Sequence, residues 1–417
     1  MEFILGFDKK TMTFKIDQNN LMTVLEPNKI NIESSGVAEV KRSLLEPIGS
    51  PRLKEILKTG EKVVIITSDI TRPMPSKVVL PILLEELYEA NISDKDIKIV
   101  FALGSHRKHT EEEKKYLVGE AIYERIECID SDVENCINLG QTSLGTPVNI
   151  FKPVAEADRR ICLGNIEYHY FAGYSGGAKA IMPGVATREA IQANHSMMVR
   201  KDAKAGTLED NPLRRDIDEI SNFLSIDFIL NVVLDEKKNI IKSVAGHYLE
   251  AHREGCKFLD QLYKIYMEQP ADIVVVSPGG FPKDINVYQA QKALDNAQHA
   301  VRDGGIIILV ASCKEGLGEH TFERWMTTSN SPEEMIVNIQ KKFELGGHKA
   351  AAIAMVHQRA RIFLVSDLED DFVRKIFLEP YKEVETALKS AYSILGEDAK
   401  VLVMPYGGST LPVVNKA

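Results

Sequence analysis

The chain has 417 residues, 44% hydrophobic and 27% charged, proportions that exclude disordered and fibrous architectures. With 51 basic residues against 60 acidic ones its formal charge is −9, so neither nucleic acid nor an anionic membrane is expected as a partner. No stretch reaches the roughly 18 apolar residues of a membrane helix, and the short apolar run inside Met1–Lys10 has charges on both sides, unlike a signal peptide. A cytoplasmic protein is expected. The five cysteines (Cys128, Cys136, Cys162, Cys256, Cys313) are odd in number and form no CxxC pair, which argues against both a disulfide framework and a thiolate zinc site.

In chain order, Thr11–Asp17 and Leu21–Glu26, separated by Gln18-Asn19-Asn20, predict a short hairpin on the edge of a first domain. Short Val/Ile/Leu-rich runs then predict strands at Lys62–Thr67, Ile97–Gly104, Arg160–Asn165, Asp227–Leu234, Asp272–Ser277, Gly305–Ala311, Arg361–Ser366 and Lys400–Met404. Nearly continuous apolar runs of this length suit strands covered on both faces. Helical patterns such as Lys77–Ala90 and Asn286–Arg302 alternate with them, and Ser243–Met267 reads as one long helix ended by Pro270. The alternation predicts an α/β fold of two domains, each a mostly parallel sheet flanked by helices. The boundary is expected near Gln269-Pro270, giving domains of 1–268 and 269–404, with the tail from about 405 to 417 closing the second sheet or packing back on the first domain.

Ligands of such folds bind beyond the carboxyl ends of the strands, so the loops there carry the functional candidates. After the first buried strand comes Ser68-Asp69-Ile70-Thr71-Arg72-Pro73. Asp69 and Arg72 are either a capped helix start with a local ion pair or a rigid loop for ribose hydroxyls and an anion. The next strand ends in Gly104-Ser105-His106-Arg107-Lys108-His109; His106 follows the buried run directly, whereas His109 reads as more exposed. The third loop, Glu167 to Lys179, holds His169 and a Ser175-Gly176-Gly177 turn ahead of Lys179. Its amides could approach an anion, or the turn could be merely flexible; it lacks the ending of a Walker A loop. A lysine in a partly desolvated aromatic loop can serve as a nucleophile or covalent anchor. His195 follows on a helix that begins near Thr187. In the second domain, Ser277-Pro278-Gly279-Gly280-Phe281-Pro282 precedes a helix on which Tyr288, Gln289 and Lys292 share a face, either solvated or turned to a substrate.

Taken together and in order, SDITRP at Ser68–Pro73, GSHR at Gly104–Arg107, YHYFAGYSGGAKAIMPG at Tyr168–Gly184, Asn194-His195 and PGGFPKDINVYQAQK at Pro278–Lys292 resemble the nickel-pincer-nucleotide-dependent lactate racemase family. The resemblance runs over nearly the whole chain. It implies a 2-hydroxy-acid racemase or epimerase with its active site in the cleft between the domains. Its cofactors would be nickel and a pyridinium-thioamide-thiocarboxylate mononucleotide, with cofactor-biosynthesis enzymes as transient partners and a small 2-hydroxy carboxylate as substrate. Lys179 would hold the nucleotide covalently, His195 would ligate nickel, and His106 and His169 would be the acid/base pair. Asp69, Arg72, Ser175, Gly176 and Gly177 would contact the nucleotide, and Tyr288, Gln289 and Lys292 the substrate.

One departure bears on the substrate. Lactate-specific members carry a tryptophan near the start of a second-domain helix, where this chain has Gly346-Gly347-His348-Lys349; its single tryptophan, Trp325, lies in another segment. A wall turned polar or basic suits a larger or more polar 2-hydroxy acid better than lactate. Two other readings stand beside the racemase: a zinc-dependent hydrolase using the three histidines, and a non-catalytic nucleotide-binding protein using the glycine-rich loop.

Overall fold

The computed structural model describes residues 1–414. The chain forms two compact units, one of Ile30–Asp260 and one in which Met1–Lys29 joins the chain from Gln261 onward. In the first, six strands lie in the order Ile240–Gly246, Phe228–Leu234, Arg159–Asn165, Val63–Ser68, Ile97–Ala102, Glu127–Asp130. All neighbours are parallel except Ile240–Gly246, which pairs antiparallel at one edge. Val63, Val64, Ile65 and Ile66 are each at most 2% exposed, as a strand covered on both faces requires. The helix Ser76–Glu89 contributes Val79, Leu80, Leu83 and Leu87 to the same core.

The second unit also holds a six-stranded sheet, all parallel, in the order Glu379–Tyr381, Ala360–Val365, Val301–Val310, Ala271–Val276, Val401–Met404, Leu21–Val24. All eight expected strands therefore form, and the α/β class with two parallel sheets is as expected from the apolar runs.

Four local expectations give way. The N-terminal hairpin joins Glu2–Phe7 to Lys10–Lys15, turning at Asp8-Lys9 with Asp8 at φ 47, a conformation Asp tolerates. Leu21–Val24 leaves it to pair with Val401–Met404, so Gln18-Asn19-Asn20 closes no hairpin and the segment belongs to the second unit, not to the edge of the first. Ser243–Met267 is not one helix: Ile240–Gly246 is a strand, the helix is Glu250–Tyr263, and Lys264–Met267 is again a strand. The β-branched run Ile240-Ile241 and Val244 fits a pleated edge better than a helical turn. The unit boundary accordingly falls after Asp260 instead of at 268. The helix expected over Asn286–Arg302 ends at Ala297, because Val301 already begins a strand. Of the tail, Leu411–Val414 pairs parallel with Lys264–Met267 inside the second unit, and residues 415–417 lie outside the described residues.

Phe14 is 0% exposed and packs with Ile273, Val275, Phe363 and Val403. Phe14→Ala should therefore cost about 3–5 kcal/mol. Denaturant unfolding should register it; a loss below about 1 kcal/mol would mean that the N-terminal segment does not complete this core.

Candidate active site

Strand order in the Ile30–Asp260 sheet reverses between Val63–Ser68 and Arg159–Asn165. Connections leave this point toward opposite edges and open a crevice at the carboxyl ends. The loops bearing Asp69 and Arg72 and the segment running to Lys179 flank it. The neighbouring loop of His106 is joined to them where Gly104 N–H donates to Gly184 O at 2.9 Å.

Asp69, 3% exposed, sits against His106 with Oδ2 2.6 Å from Nδ1, and its Oδ1 accepts the Thr71 amide and hydroxyl at 2.7 and 2.6 Å. Burial alone would raise this carboxyl, but the hydrogen bonds from His106 and the Thr71 hydroxyl and the charge of Arg72 together hold it below its ordinary value. A carboxylate accepts only, so His106 keeps its proton on Nδ1 and directs its Nε2 lone pair away from Asp69. Both Asp69 oxygens are thereby engaged within the protein, Oδ2 with His106 and Oδ1 with Thr71. His109, expected to be exposed, has a side chain only 1% exposed. Its Nδ1 meets Asp130 at 2.6 Å and its Nε2 accepts the Ile70 amide at 3.1 Å, so it is a strut under the Asp69 loop with no nitrogen left for a metal.

Tyr168–His169 and Gly173–Tyr174 form a two-residue ribbon. Both tyrosine hydroxyls donate to Asp260, at 2.8 and 2.7 Å. The Ser175 hydroxyl donates to Asn165 O at 2.7 Å, closing the loop on its own strand. Gly176 and Gly177 adopt φ +79 and +60. A Cβ would meet Asn231 Oδ1 at 2.7 Å from Gly176 and the His252 ring at 2.9 Å from Gly177. Gly177 N–H is already donated to Asn231 Oδ1 at 2.8 Å. The turn is thus rigid and packed from behind, and neither the Ser175 hydroxyl nor the Gly177 amide is offered to an anion as the sequence suggested.

What the turn presents is Lys179. Its side-chain nitrogen has no hydrogen bond or ion pair among the described residues, and burial, then Arg214, then Arg72, push its pKa well below the ordinary lysine range, against a weaker pull from Glu167. Arg214 is 0% exposed and donates to Tyr174 O. Burial, and then the same guanidinium, drive the pKa of His252 down, so that ring stays neutral beneath the turn, its Nε2 donating to Ser175 O at 2.8 Å. Sequence reasoning missed Arg214 and His252. The Asn211-Pro212 helix start was the legible signal for the first, and none existed for the second.

His169 accepts the Ala172 amide at Nδ1, 3.3 Å away. Its ring lies edge-on to Phe171 at 4.5 Å, and Phe171 meets the His195 ring at 4.8 Å, so one aromatic side chain touches both imidazoles. His195 is 8% exposed in the last turn of the helix Arg188–Ser196.

In the second unit the strand order reverses between Ala271–Val276 and Val401–Met404, and the loop after the first of these leads to the helix Val287–Ala297. Tyr288 and Gln289 are half-buried and Lys292 is exposed in its first turns. Lys349 is buried and places Nζ 2.6 Å from Tyr288 O and 3.7 Å from the centre of its ring. Nearby Asp295 is pushed up to about 7 by burial, against Lys349 and Gln298. Burial holds His348 down to about 3, and its Nδ1 accepts the Gly346 amide at 3.0 Å. Trp325, remote in sequence, comes to this helix start all the same: a Cβ on Gly347 would lie 2.5 Å from the indole.

The family model described as the lactate racemase N-terminal domain matches residues 7–207, and that of the lactate racemase C-terminal domain matches 266–412. The chain belongs to the lactate racemase family, a family of isomerases. The lactate racemase of Thermoanaerobacterium thermosaccharolyticum is 35% identical over 421 residues, 98% of each chain. That of Lactiplantibacillus plantarum is 36% identical over 418 residues, 97% of each. The solved lactate racemase apoprotein from T. thermosaccharolyticum superposes with a TM-score of 0.92 at 35% identity, covering 99% of this chain and 100% of that one. A Thermotoga maritima protein shares the fold, with a TM-score of 0.69 at 21% identity over 91% of this chain and 98% of its own.

The electrostatics of this family member give a direct test at Lys179. The rate at which an acylating reagent modifies Lys179, followed by peptide mass spectrometry against pH, should rise through a midpoint well below the ~10.4 of a free lysine. A midpoint at the ordinary value would remove the depressed amine from the site.

Proposed function

We propose that this protein inverts C2 of a 2-hydroxy acid by proton-coupled hydride transfer with a nickel-pincer nucleotide tethered at Lys179. The feature that carries the reading is the amine at 179, which has no hydrogen bond or ion pair among the described residues and whose ammonium form is disfavoured by burial and by the charges of Arg214 and Arg72. An uncharged amine is the form that makes a covalent link. Arg72 and Arg214 suit an anionic ligand beside it, and the buried imidazole of His195 suits nickel. The nucleotide, when bound, supplies the hydride acceptor and donor that amino-acid side chains lack.

Proton handling falls to the chain. His106, with Nδ1 given to Asp69, has its lone pair at Nε2 and takes the hydroxyl proton of one enantiomer. His169, whose Nδ1 accepts the Ala172 amide, holds its N–H at Nε2 and would hydrogen-bond the substrate oxygen from the other side. Inversion needs one ring neutral as base and the other protonated as imidazolium acid, and the proton taken up by one ring in one direction is given back by the same ring in the reverse direction. Tyr288, Gln289 and Lys292 bind the substrate, Lys292 through the carboxylate. Lactate, which names the relatives, is one such acid. A larger or more polar acid suits the buried ammonium of Lys349 against Tyr288 better. The enzymes that make the nucleotide are its transient partners, and the unpaired state of all five cysteines supports a cytoplasmic setting.

The two other readings have less support. A three-histidine zinc site needs convergent ligands, and among the described residues no three His, Cys, Asp or Glu side chains are grouped to hold a metal. A non-catalytic nucleotide binder would leave the Asp69–His106 pair without a purpose.

Coexpression with the cofactor-making enzymes should yield a covalent adduct mapped to Lys179, and enantiopure 2-hydroxy acids followed by chiral separation should show inversion. Loss of the charged bond in Lys292→Ala should lower kcat/KM about 10–100-fold for every carboxylate turned over. An adduct that survives Lys179→Ala, or unchanged kinetics in Lys292→Ala, would refute the corresponding assignment.

A further inference from the structure

We infer that Asn194 and Asp216 are positioning residues that fix the proton of His195 on Nδ1 and so leave the lone pair of the neutral ring on Nε2. The inference rests on the reading of His195 as the nickel ligand. It is carried by a chain of buried hydrogen bonds whose directions leave one solution.

Asn194 and Asp216 are both 0% exposed. The Asn194 side-chain amide donates to Leu213 O at 3.3 Å and to Asp216 Oδ2 at 2.7 Å. Both partners are acceptors only, so this end of the side chain must be the NH₂ group, and the orientation follows from chemistry. The other end, Oδ1, faces His195 Nδ1 at 3.1 Å. An amide oxygen cannot donate, so Nδ1 carries the hydrogen. A neutral imidazole has only one such hydrogen, and Nε2 keeps its lone pair.

Asp216 is held in its turn. Its two oxygens accept from Thr142 Oγ1 at 2.5 Å and Thr146 Oγ1 at 2.7 Å, both in the turn between the strands Cys136–Gln141 and Pro147–Phe151. Thr142 Oγ1 also accepts the Thr146 amide at 3.0 Å, which orients its hydroxyl toward Asp216. The order is therefore threonine pair, Asp216, Asn194, His195, running from a β-turn through the helix Pro212–Glu219 to the helix Arg188–Ser196. Phe171, packed edge-on at 4.8 Å, restrains the ring from another side. Apolar side chains could fill the same space without the risk of unpaired polar groups. What they could not do is specify which imidazole nitrogen holds the lone pair. Ligating histidines are commonly oriented through their second nitrogen in this way, and loss of such a partner costs roughly 10–100-fold in metal affinity.

The test reads the tautomer directly, in the full-length protein without cofactor. Histidine-selective ¹⁵N labelling and long-range ¹⁵N–¹H correlation spectra, with His195 assigned by its loss in His195→Ala, should show protonation at Nδ1. In Asn194→Ala the His195 signals should move toward the Nε2–H form or a mixture, while the other histidines keep their patterns. Nickel content of protein coproduced with the cofactor-making enzymes should fall about tenfold or more in Asn194→Ala. An Nε2–H tautomer in the unmodified protein would overturn the inference without any variant having to fold, and an unchanged His195 tautomer in Asn194→Ala would overturn it too. If the tautomer shifts as stated but His195→Ala retains full nickel, the positioning stands and the ligand assignment of the proposed function fails instead.

Discussion

Parallel strands deliver all of their carboxyl ends to one edge of a sheet, and a reversal of strand order leaves room there that no crossover fills. In the Ile30–Asp260 unit this happens between Val63–Ser68 and Arg159–Asn165. The same edge receives Asp69 and Arg72 from one loop, the His106 loop from the next strand, and the segment from His169 to Lys179 from the third. The sheet supplies rigidity through strands with almost no exposed side chain, such as Ile65 and Ile161 at 0%. The chemistry is left to loops locked by their own hydrogen bonds.

Within that crevice the electrostatics work in opposite senses on two kinds of group. For Lys179, burial and the charges of Arg214 and Arg72 outweigh the pull of Glu167 and disfavour its ammonium form. The imidazoles are governed by hydrogen-bond direction. Asp69 and Asn194 accept from Nδ1 of His106 and His195, whereas the Ala172 amide donates to Nδ1 of His169. A difference of one proton position at Nδ1 thus separates rings whose neutral form has its lone pair at Nε2 from one whose neutral form has its N–H there. His109 marks the contrast: both of its nitrogens are bonded within the fold, and its work is structural.

The strands were legible because a strand buried on two faces must be apolar throughout, and the runs ending near Thr67, Leu103, Asn165 and Ser277 all met that condition. The edges were less so. Ile240–Gly246 breaks its apolar run with Lys242 and Ser243 and in part looked helical, and Leu21–Val24 finds its partner some 380 residues away, at Val401–Met404. Among the site residues, His106, His169, Lys179 and His195 stood out as unusual side chains at strand ends. Arg214, His252, Asn194 and Asp216 did not, because a buried polar residue is distinguished from an exposed one by its partners alone. Trp325 shows the same limit in another form: absent from the segment where a tryptophan was sought, its ring nevertheless packs on Gly347.

The amino-acid sequence determined by itself the alternation of buried strands and helices, the acidic surface and the set of reactive side chains, since these follow from residue type and local spacing. Tertiary structure alone decided which groups neutralise or orient one another. It committed Asp69 to His106, closed the Ser175–Gly177 turn on Asn231 and His252, and set Arg214 beside Lys179. Hydrogen-bond direction and burial are properties of pairs brought together from distant parts of the chain, and no local pattern encodes them.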